Sequence, residues 1–578
     1  MTAQPTGSSD GLTLMLIEGG VTCIIFAASF AWPRLGNSFF QRIESSLSSL
    51  AANKWRAVLS VTLCTLLIRL ALLPIFPVPL PFVPDDFSNL LASQTFSLGR
   101  LTNPTPAMWI HFETIHVDMQ PTYMSMYFPS LGMVMALGQI LFGKPWFGIL
   151  FASALMCGAI TWMLQAWLPS RWALLGGFVA MLRLGLFSYW VNTYTGAGAI
   201  AALGGALILG AVPRLVKTSR FRYGLILSVG IVLVAFTRPY EGLLLCLPVS
   251  VLLGKWVFVD TNHPPVKVLL RRAAFPLLIL VAAGIGMGYY NYRVFGGVTT
   301  LPYAVNRSTY AVAPYYIWQS QRPDPVYRHP EMRRFYYESE MKVYSKVHSL
   351  EMFIPECIYK LISSILFFAG ILLLPPLLMT RRVFRDRRMR FLVASVLFLI
   401  AGLSIEIYLI PHYVAPFTSA FYALGLQATR HLRLWNPGGQ PVGMALVRLT
   451  VTLCLILGVV RVFSKPLGIK VDEFPPNNWS GMWWGPDIYG AERAQIASQL
   501  EQLQGKQLVF VRPSTKRDPL DQWVYNKPDI DGAKVVWAWD MDAGHNQELM
   551  RYYGDRKAWL VHMDTVPAIV SAYSVQAQ

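Results

Sequence analysis

Read for the alternation of apolar and polar positions, the chain is a series of long apolar runs parted by short polar breaks. Runs long enough to span a bilayer, or nearly so, fall at residues 12–32, 56–78, 148–168, 172–190, 196–213, 223–237, 241–258, 273–290, 356–379, 391–410, 416–430 and 443–463. A further stretch, MYFPSLGMVMALGQILFG at 126–143, has the same character. After residue 464 the pattern changes: AERAQIASQLEQLQ reads as a helix, and QLVFV, AKVVWAW and AWLVHM read as short strands. Helical and β-rich runs in alternation predict a small α/β domain with a partly parallel sheet. The expected fold is an α-helical polytopic membrane protein of about twelve transmembrane helices with a small C-terminal soluble α/β domain. Its parts are an N-terminal helix and loop (1–54), a transmembrane module (55–463) with large loops at 79–147 and 291–355, and the soluble domain (464–578).

Composition supports the membrane reading: 54% of the 578 residues are hydrophobic and 14% charged, where a soluble chain carries about a quarter charged residues. The net charge of +18 would suit a nucleic-acid binder. Here, however, the basic residues cluster in the short breaks between apolar runs, which is the positive-inside pattern and excludes a nucleic-acid patch. The six cysteines lie in or beside apolar runs without CxxC or metal-site spacing. Residues 1–10 hold no Lys or Arg, whereas Arg34, Arg42, Lys54 and Arg56 follow the first run, so no signal peptide is expected and the N-terminus is placed outside. If 126–143 does not cross, Arg171, PRLVKTSRFR (213–222), KVLLRR (267–272), TRRVFRDRRMR (380–390) and RHLR (430–433) share the inner side. That segment is therefore read as a helix on the outer surface, with both large loops and the C-terminus outside.

Candidate chemistry gathers on that outer side. The apolar run 56–78 leads into PDDFSNLLASQTFSLGRLTNP (84–104), which opens with Asp85 and Asp86. Pro then Asp is good helix-start chemistry, and a carboxylate at a water-facing membrane site is also what acid–base catalysis needs. Arg69, Arg183 and Glu406 fall in the outer halves of expected spans, where charge is costly and marks a wet cavity or a helix-bridging pair. The outer turns SYWVNTYTG (188–196), TRPYEG (237–242), YYNYR (289–293) and IPHYVAP (410–416) add Arg238, Tyr240, Glu241, Tyr290, His412 and Tyr413. In the first loop, His111, Glu113, His116 and Asp118 are candidates for an acceptor site or a divalent metal, although no HExxH is present. GAGAIAALGG (196–205) is a helix-packing stretch and not a phosphate loop.

This combination resembles the GT-C class of membrane glycosyltransferases, most nearly the protein O-mannosyltransferase and lipid A aminoarabinose transferase branch. PDDFSNLLASQTFSLGRL stands where that branch has its acidic pair, and MQPTYMSMYFPSLGMVMALGQILFG resembles its Pro-led juxtamembrane helix ending in Phe-Gly. The likeness covers residues 55–300. It departs at Asp86, where Glu is frequent, and at Met119-Gln120, where the aminoarabinose transferases have Glu-Lys, so the phosphate and metal roles of that pair do not carry over. An extra N-terminal span also precedes the motif.

The resemblance implies sugar transfer from a polyprenyl-phosphate donor to a lipid, glycan or protein acceptor at the periplasmic face of the cytoplasmic membrane. Asp85 is then the general base, with Asp86 orienting it or an attached metal. Arg238 and His412 are the candidates for the donor phosphate, ahead of Arg69 and Arg183. Tyr240, Tyr290 and Tyr413, with Glu241 beside them, are expected against the sugar or prenyl group. The soluble domain, whose acids Asp529, Asp531, Asp540 and Asp542 are scattered, is expected to orient the acceptor and to carry no chemistry. A lipid-linked saccharide flippase, which would spread charge through the membrane depth, and a non-catalytic membrane scaffold are the alternatives.

Overall fold

The computed structural model describes residues 7–261, 263–370, 373–464, 466–467 and 490–574. Three helices open the chain: α1 (Gly7–Ala31), α2 (Asn37–Ala52) and α3 (Lys54–Ala71). The Asn53 side chain caps α3 by accepting from the Trp55 and Arg56 amides. The loop that follows carries α4 (Pro84–Ser97), an antiparallel ribbon of β1 (Val117–Asp118) and β2 (Met124–Ser125), and α5 (Pro129–Phe142). Next come α6 (Trp146–Trp167), α7 (Ser170–Ala180), the single turn α8 (Tyr189–Asn192), α9 (Gly198–Thr218), α10 (Phe221–Ala235), α11 (Pro239–Phe258) and α12 (Val266–Phe295). The second long loop holds α13 (Pro302–Tyr310), α14 (Pro330–Arg333) and α15 (Glu340–His348). Then follow α16 (Leu350–Phe368), α17 (Thr380–Arg385), α18 (Arg390–Ser404), α19 (Thr418–Arg433) and α20 (Val442–Val462).

By length and composition, α6, α9, α11, α12 and α20 can each cross a membrane. α6 is the buried axis and packs on α3, α5, α7 and α9. α12, about 45 Å long, leaves Phe275, Leu278, Val281 and Ile285 exposed, an apolar face that lipid would cover. α5 is about 21 Å long, short of the roughly 30 Å hydrocarbon core, and it packs on α4 and α6.

Three of the expected spans are interrupted. The run 172–190 widens to π-helical spacing at Met181–Leu186 before breaking. The run 356–379 stops as a helix at Phe368: Gly370 takes φ +64°, and Pro375-Pro376 cannot continue a helix. The run 391–410 stops at Ser404, and the extended residues beyond it pair with the second long loop, Ile407 N donating to Tyr315 O at 2.8 Å and Ile317 N to Ile405 O at 3.1 Å. Glu406 therefore sits on a bridge to Tyr316 and not inside a helix.

After residue 490 the chain forms α21 (Ala491–Gln502), β3 (Lys506–Arg512), β4 (Val535–Trp539), α22 (Ala543–Tyr552), β5 (Arg556–His562) and β6 (Ile569–Ala572). The strand order is β4-β3-β5-β6, with β3 parallel to both neighbours and β6 antiparallel at the edge. This unit is seated directly on α4. Gln522 N donates to Phe82 O at 3.3 Å, Tyr525 OH to Gln94 Oε1 at 2.9 Å, and Arg493 stacks over Phe87 at 4.6 Å. Trp539 Nε1 donates to Glu113 O at 2.7 Å and Tyr123 OH to Asn526 O at 2.8 Å, so the 107–123 segment is held as well.

Candidate active site

α4 begins with Pro84 at its first position, where the missing amide costs nothing, and the acids follow in the first turn, where the helix dipole favours them. One helical step then separates Asp85 from Asp86 by about 100°. The two carboxylates consequently point into different surroundings.

Asp85 faces a cleft, its side chain 18% exposed. Tyr127 OH donates to Asp85 Oδ1 at 2.5 Å, and His116 Nδ1 lies 3.3 Å from Oδ2 and 3.0 Å from the same tyrosine hydroxyl. Burial alone would raise the Asp85 carboxyl; the His116 ring and the Tyr127 hydroxyl outweigh it and hold the group below its ordinary value. Burial and the neighbouring Asp85 charge keep the Tyr127 phenol well above its usual pKa, so it remains a donor.

His116 is fixed from several sides. Its φ of +64° is costly for a residue with a Cβ. Its N–H donates to Tyr336 OH at 2.9 Å, and its carbonyl accepts from Ser88 Oγ at 2.6 Å and Met126 N at 3.2 Å. Its ring stands edge-on to Phe335 with centroids 5.1 Å apart. A strained residue held this firmly, with its imidazole on a carboxylate, is what a functional site requires.

Asp86 is buried and fully engaged. Oδ2 accepts from Phe82 N at 3.1 Å; Oδ1 accepts from Tyr194 N at 3.0 Å and Thr195 Oγ1 at 2.6 Å. Burial pushes its pKa up to about 6 despite these bonds. Through these bonds Asp86 ties the head of α4 to the chain after α8.

Arg238 lies across the cleft, at the start of α11. Its guanidinium stacks over Tyr413 at 4.1 Å and comes no closer than 3.7 Å to Glu241. Among the described residues it donates no hydrogen bond to a protein acceptor, although its side chain is only 10% exposed. Arg238, Tyr127, Tyr303, Asn89 and Gly196 line one cavity, and the Tyr303 ring meets Tyr127 edge-on at 5.7 Å. Gly196, at φ +82°, is required there: a Cβ would stand 2.4 Å from His412 Nδ1.

Arg69, Arg183 and Tyr290 are placed elsewhere, whereas His412 lies just behind Gly196 of the cavity wall. The Arg69 guanidinium is taken up by Phe76 O (2.8 Å), Pro77 O (3.4 Å) and Asn192 Oδ1 (2.9 Å) and stacks on Trp146, so it closes the end of α3. Arg183 donates to Leu366 O at 3.1 Å, which also accepts from Gly370 N, and to Phe367 O at 3.3 Å, both in the last turn of α16. Tyr290 packs with Phe96 and Phe295 away from the cleft. His412 is buried, its Nδ1 2.8 Å from Tyr189 OH, and Tyr240 OH donates to Gly402 O at 2.8 Å.

The loop cluster does not converge either. His116 belongs to Asp85. Glu113 accepts from Tyr310 OH at 3.0 Å and Arg328 at 3.3 Å. Asp118 accepts from Asn306 Nδ2 at 3.0 Å, with burial pushing it up to about 8, and His111 lies buried near His545, its burial lowering it to about 4. Among the described residues no three His, Cys, Asp or Glu side chains are grouped as a metal's ligands would be, so no step is routed through a metal.

Sequence reading had missed Tyr127 and Tyr303, the two phenols of the cleft. Aromatic residues near a bilayer interface are too common to single them out.

No family's sequence profile matches the chain, and no curated protein matches it. Among solved structures it is similar to ArnT from Cupriavidus metallidurans in the apo state (TM-score 0.48, 15% identity, over 86% of this chain and 92% of that one). It is also similar to the Archaeoglobus fulgidus oligosaccharyltransferase tethered with an acceptor peptide (0.45, 11%, 89% and 69%). The archaeal AglB from the same organism, in complex with an inhibitory peptide and a dolichol-phosphate, is similar as well (0.38, 10%, 87% and 69%). These neighbours are glycosyltransferases of the GT-C class that the sequence resemblance names. At such scores the likeness assigns no chemistry to this chain; its own side chains have to.

Proposed function

We propose that this chain is a membrane glycosyltransferase that moves a sugar from a polyprenyl-phosphate donor to an acceptor hydroxyl or amide at the outer face of the membrane. The observation that carries the reading is the cleft: Arg238, stacked on Tyr413, lines one cavity with the phenols Tyr127 and Tyr303, and Tyr127 donates from that cavity wall to the carboxylate of Asp85. Such a pair is built for a displacement in which one end loses a proton and the other gains negative charge.

In that reaction the acceptor oxygen (or nitrogen) attacks the anomeric carbon while the bond from that carbon to the phosphate oxygen breaks. The acceptor proton passes to Asp85, whose oxygens each keep a lone pair beside the Tyr127 and His116 contacts. The departing polyprenyl phosphate takes the electron pair, and the Arg238 guanidinium, planar and always charged, receives it. A single displacement of this kind inverts the anomeric centre. Tyr127 and His116 hold the carboxylate in place and ionised. The residues after 490 brace α4 and complete the cleft without contributing a nucleophile or base.

Purified protein incubated with a panel of polyprenyl-phosphate sugars tests the reading. Release of free polyprenyl phosphate from one member, dependent on an acceptor extract, is expected. Tight binding with no release from any member, together with movement of the intact donor across vesicles, would favour the flippase alternative instead.

A further inference from the structure

A second cavity shares no lining residue with the cleft, and its lining is a different material. It measures about 310 Å³, within the range of small-molecule sites, and opens between α7, α16, α17, α18, α19 and α20. Val179, Ile365, Phe384, Leu397, Phe421 and Val451 are typical of its almost wholly hydrocarbon wall. α18 relates it to the cleft: Val393, Val396, Leu397 and Ile400 of this helix border the cavity, and the chain beyond its C-terminus supplies the Tyr413 that stacks on Arg238.

The chain segment that supplies Thr380, Val383 and Phe384 to the cavity is strongly basic. α17 turns Val383 and Phe384 towards the cavity while Arg381, Arg382 and Arg385 stand exposed beside them, followed by exposed Arg387, Arg388 and Arg390. None of these six arginines is in an ion pair among the described residues. The one carboxylate of the run, Asp386, accepts from Gln427 Nε2 at 2.6 Å. A soluble anion would use the arginines and leave the hydrocarbon wall idle; a neutral lipid would use the wall and leave the arginines idle.

We infer that this cavity is a binding site for an anionic phospholipid, its acyl chain between α16, α18 and α19 and its headgroup on the arginines of 381–390. Basic pockets between membrane helices on the positive side recognise anionic lipids by this division of labour. The donor's phosphate is assigned to Arg238, which lines the other cavity, and the two share no lining residue, so the site is separate from the transfer chemistry. It rests only on these helices lying in a membrane.

Native mass spectrometry of the purified full chain, offered phosphatidylglycerol and phosphatidylcholine in equal amounts, reads the site directly. Wild type is expected to retain phosphatidylglycerol by about tenfold over phosphatidylcholine, and the triple variant Arg381→Gln, Arg382→Gln, Arg385→Gln to bring that ratio close to one. Gly425→Leu is the independent variant: a Cβ at Gly425 meets no atom within 4 Å, and the residue lines the cavity. Its side chain is expected to displace the lipid while the thermal midpoint holds or rises. Equal retention of both lipids by wild type, or full retention by Gly425→Leu, would overturn the inference. So would displacement of phosphatidylglycerol by polyprenyl phosphate, which would give the cavity to the donor's tail.

Discussion

Asp85 and Asp86 are consecutive residues that belong to different regions of the molecule. On the cleft side of α4, the Asp85 carboxylate is partly exposed, meets one hydroxyl and one imidazole, and is held below its ordinary pKa. On the core side, Asp86 is buried under three hydrogen bonds and pushed up to about 6. Environments that drive two adjacent acids in opposite directions assign them different work. The arginines divide in the same way: Arg69 and Arg183 spend their donors on backbone carbonyls, whereas Arg238 is stacked on Tyr413, pairs with Glu241 only at 3.7 Å and, among the described residues, donates no hydrogen bond to a protein acceptor. Charge near a membrane marks a site where its hydrogen-bond donors have not already been consumed by local carbonyls.

The largest effect is expected at Asp85. Asp85→Asn keeps the shape and the helix-start chemistry but removes the base, and transfer should fall about 100- to 10,000-fold in a variant that still folds. Arg238→Gln should come next: about 10- to 100-fold weaker donor binding, as expected for the loss of one charge-assisted contact to phosphate, measured by titration with the lipid donor. At Asp86 the loss should be one of stability. Asp86→Asn places an amide NH₂ against backbone or hydroxyl donors and should cost about 1–3 kcal/mol, read as a lowered midpoint with residual transfer per folded molecule.

The Asp86 carboxyl also makes stability depend on pH. The folded chain keeps that proton up to about pH 6, whereas the free group loses it near 3.8. This contribution therefore favours the folded state most at acid pH and is lost as pH rises from about 4 to 6. Asp86→Asn should flatten that part of the midpoint-versus-pH curve; an unchanged curve would mean that Asp86 is not the group responsible. The smallest effect is expected for Tyr127→Phe, which leaves the carboxylate with His116 alone: about a tenfold loss of transfer and an upward shift of the acid limb of the pH–rate profile.

Much of this comparison was legible in the sequence, for physical reasons. An apolar run that ends in Pro-Asp-Asp must deliver carboxylates to a polar boundary, so α4 and Asp85 could be picked out. TRPYEG, a turn between two apolar runs, exposed Arg238 in the same way. The separation of the two acids could not be read, because it depends on which side of α4 the 194–195 backbone approaches. His116 reaches Asp85 only through a positive φ and a ribbon, features that a scan for metal-ligand spacing does not detect. Glu406 was misplaced because 391–410 reads as one apolar run, whereas the helix yields at Ser404 to strand-like pairing with the second loop. In the C-terminal unit, β3, β4 and β5 were visible as buried β-rich runs; β6, half-exposed at the edge, carries too weak a pattern. That unit's seat on Phe82, Phe87 and Gln94 was invisible, since docking surfaces have no period. Its removal is accordingly expected to disturb α4 itself, and not only the acceptor.

The central claim is that the cleft holds one catalytic carboxylate and that it is Asp85. The most direct measurement is made on a single purified Asp85→Asn sample, with donor affinity and single-turnover sugar transfer determined side by side against wild type. The account predicts donor affinity within about twofold of wild type and transfer reduced by at least about 100-fold. Transfer at a near-normal rate by that sample would contradict it and leave the acid at the head of α4 as no more than a first-turn charge on the helix dipole.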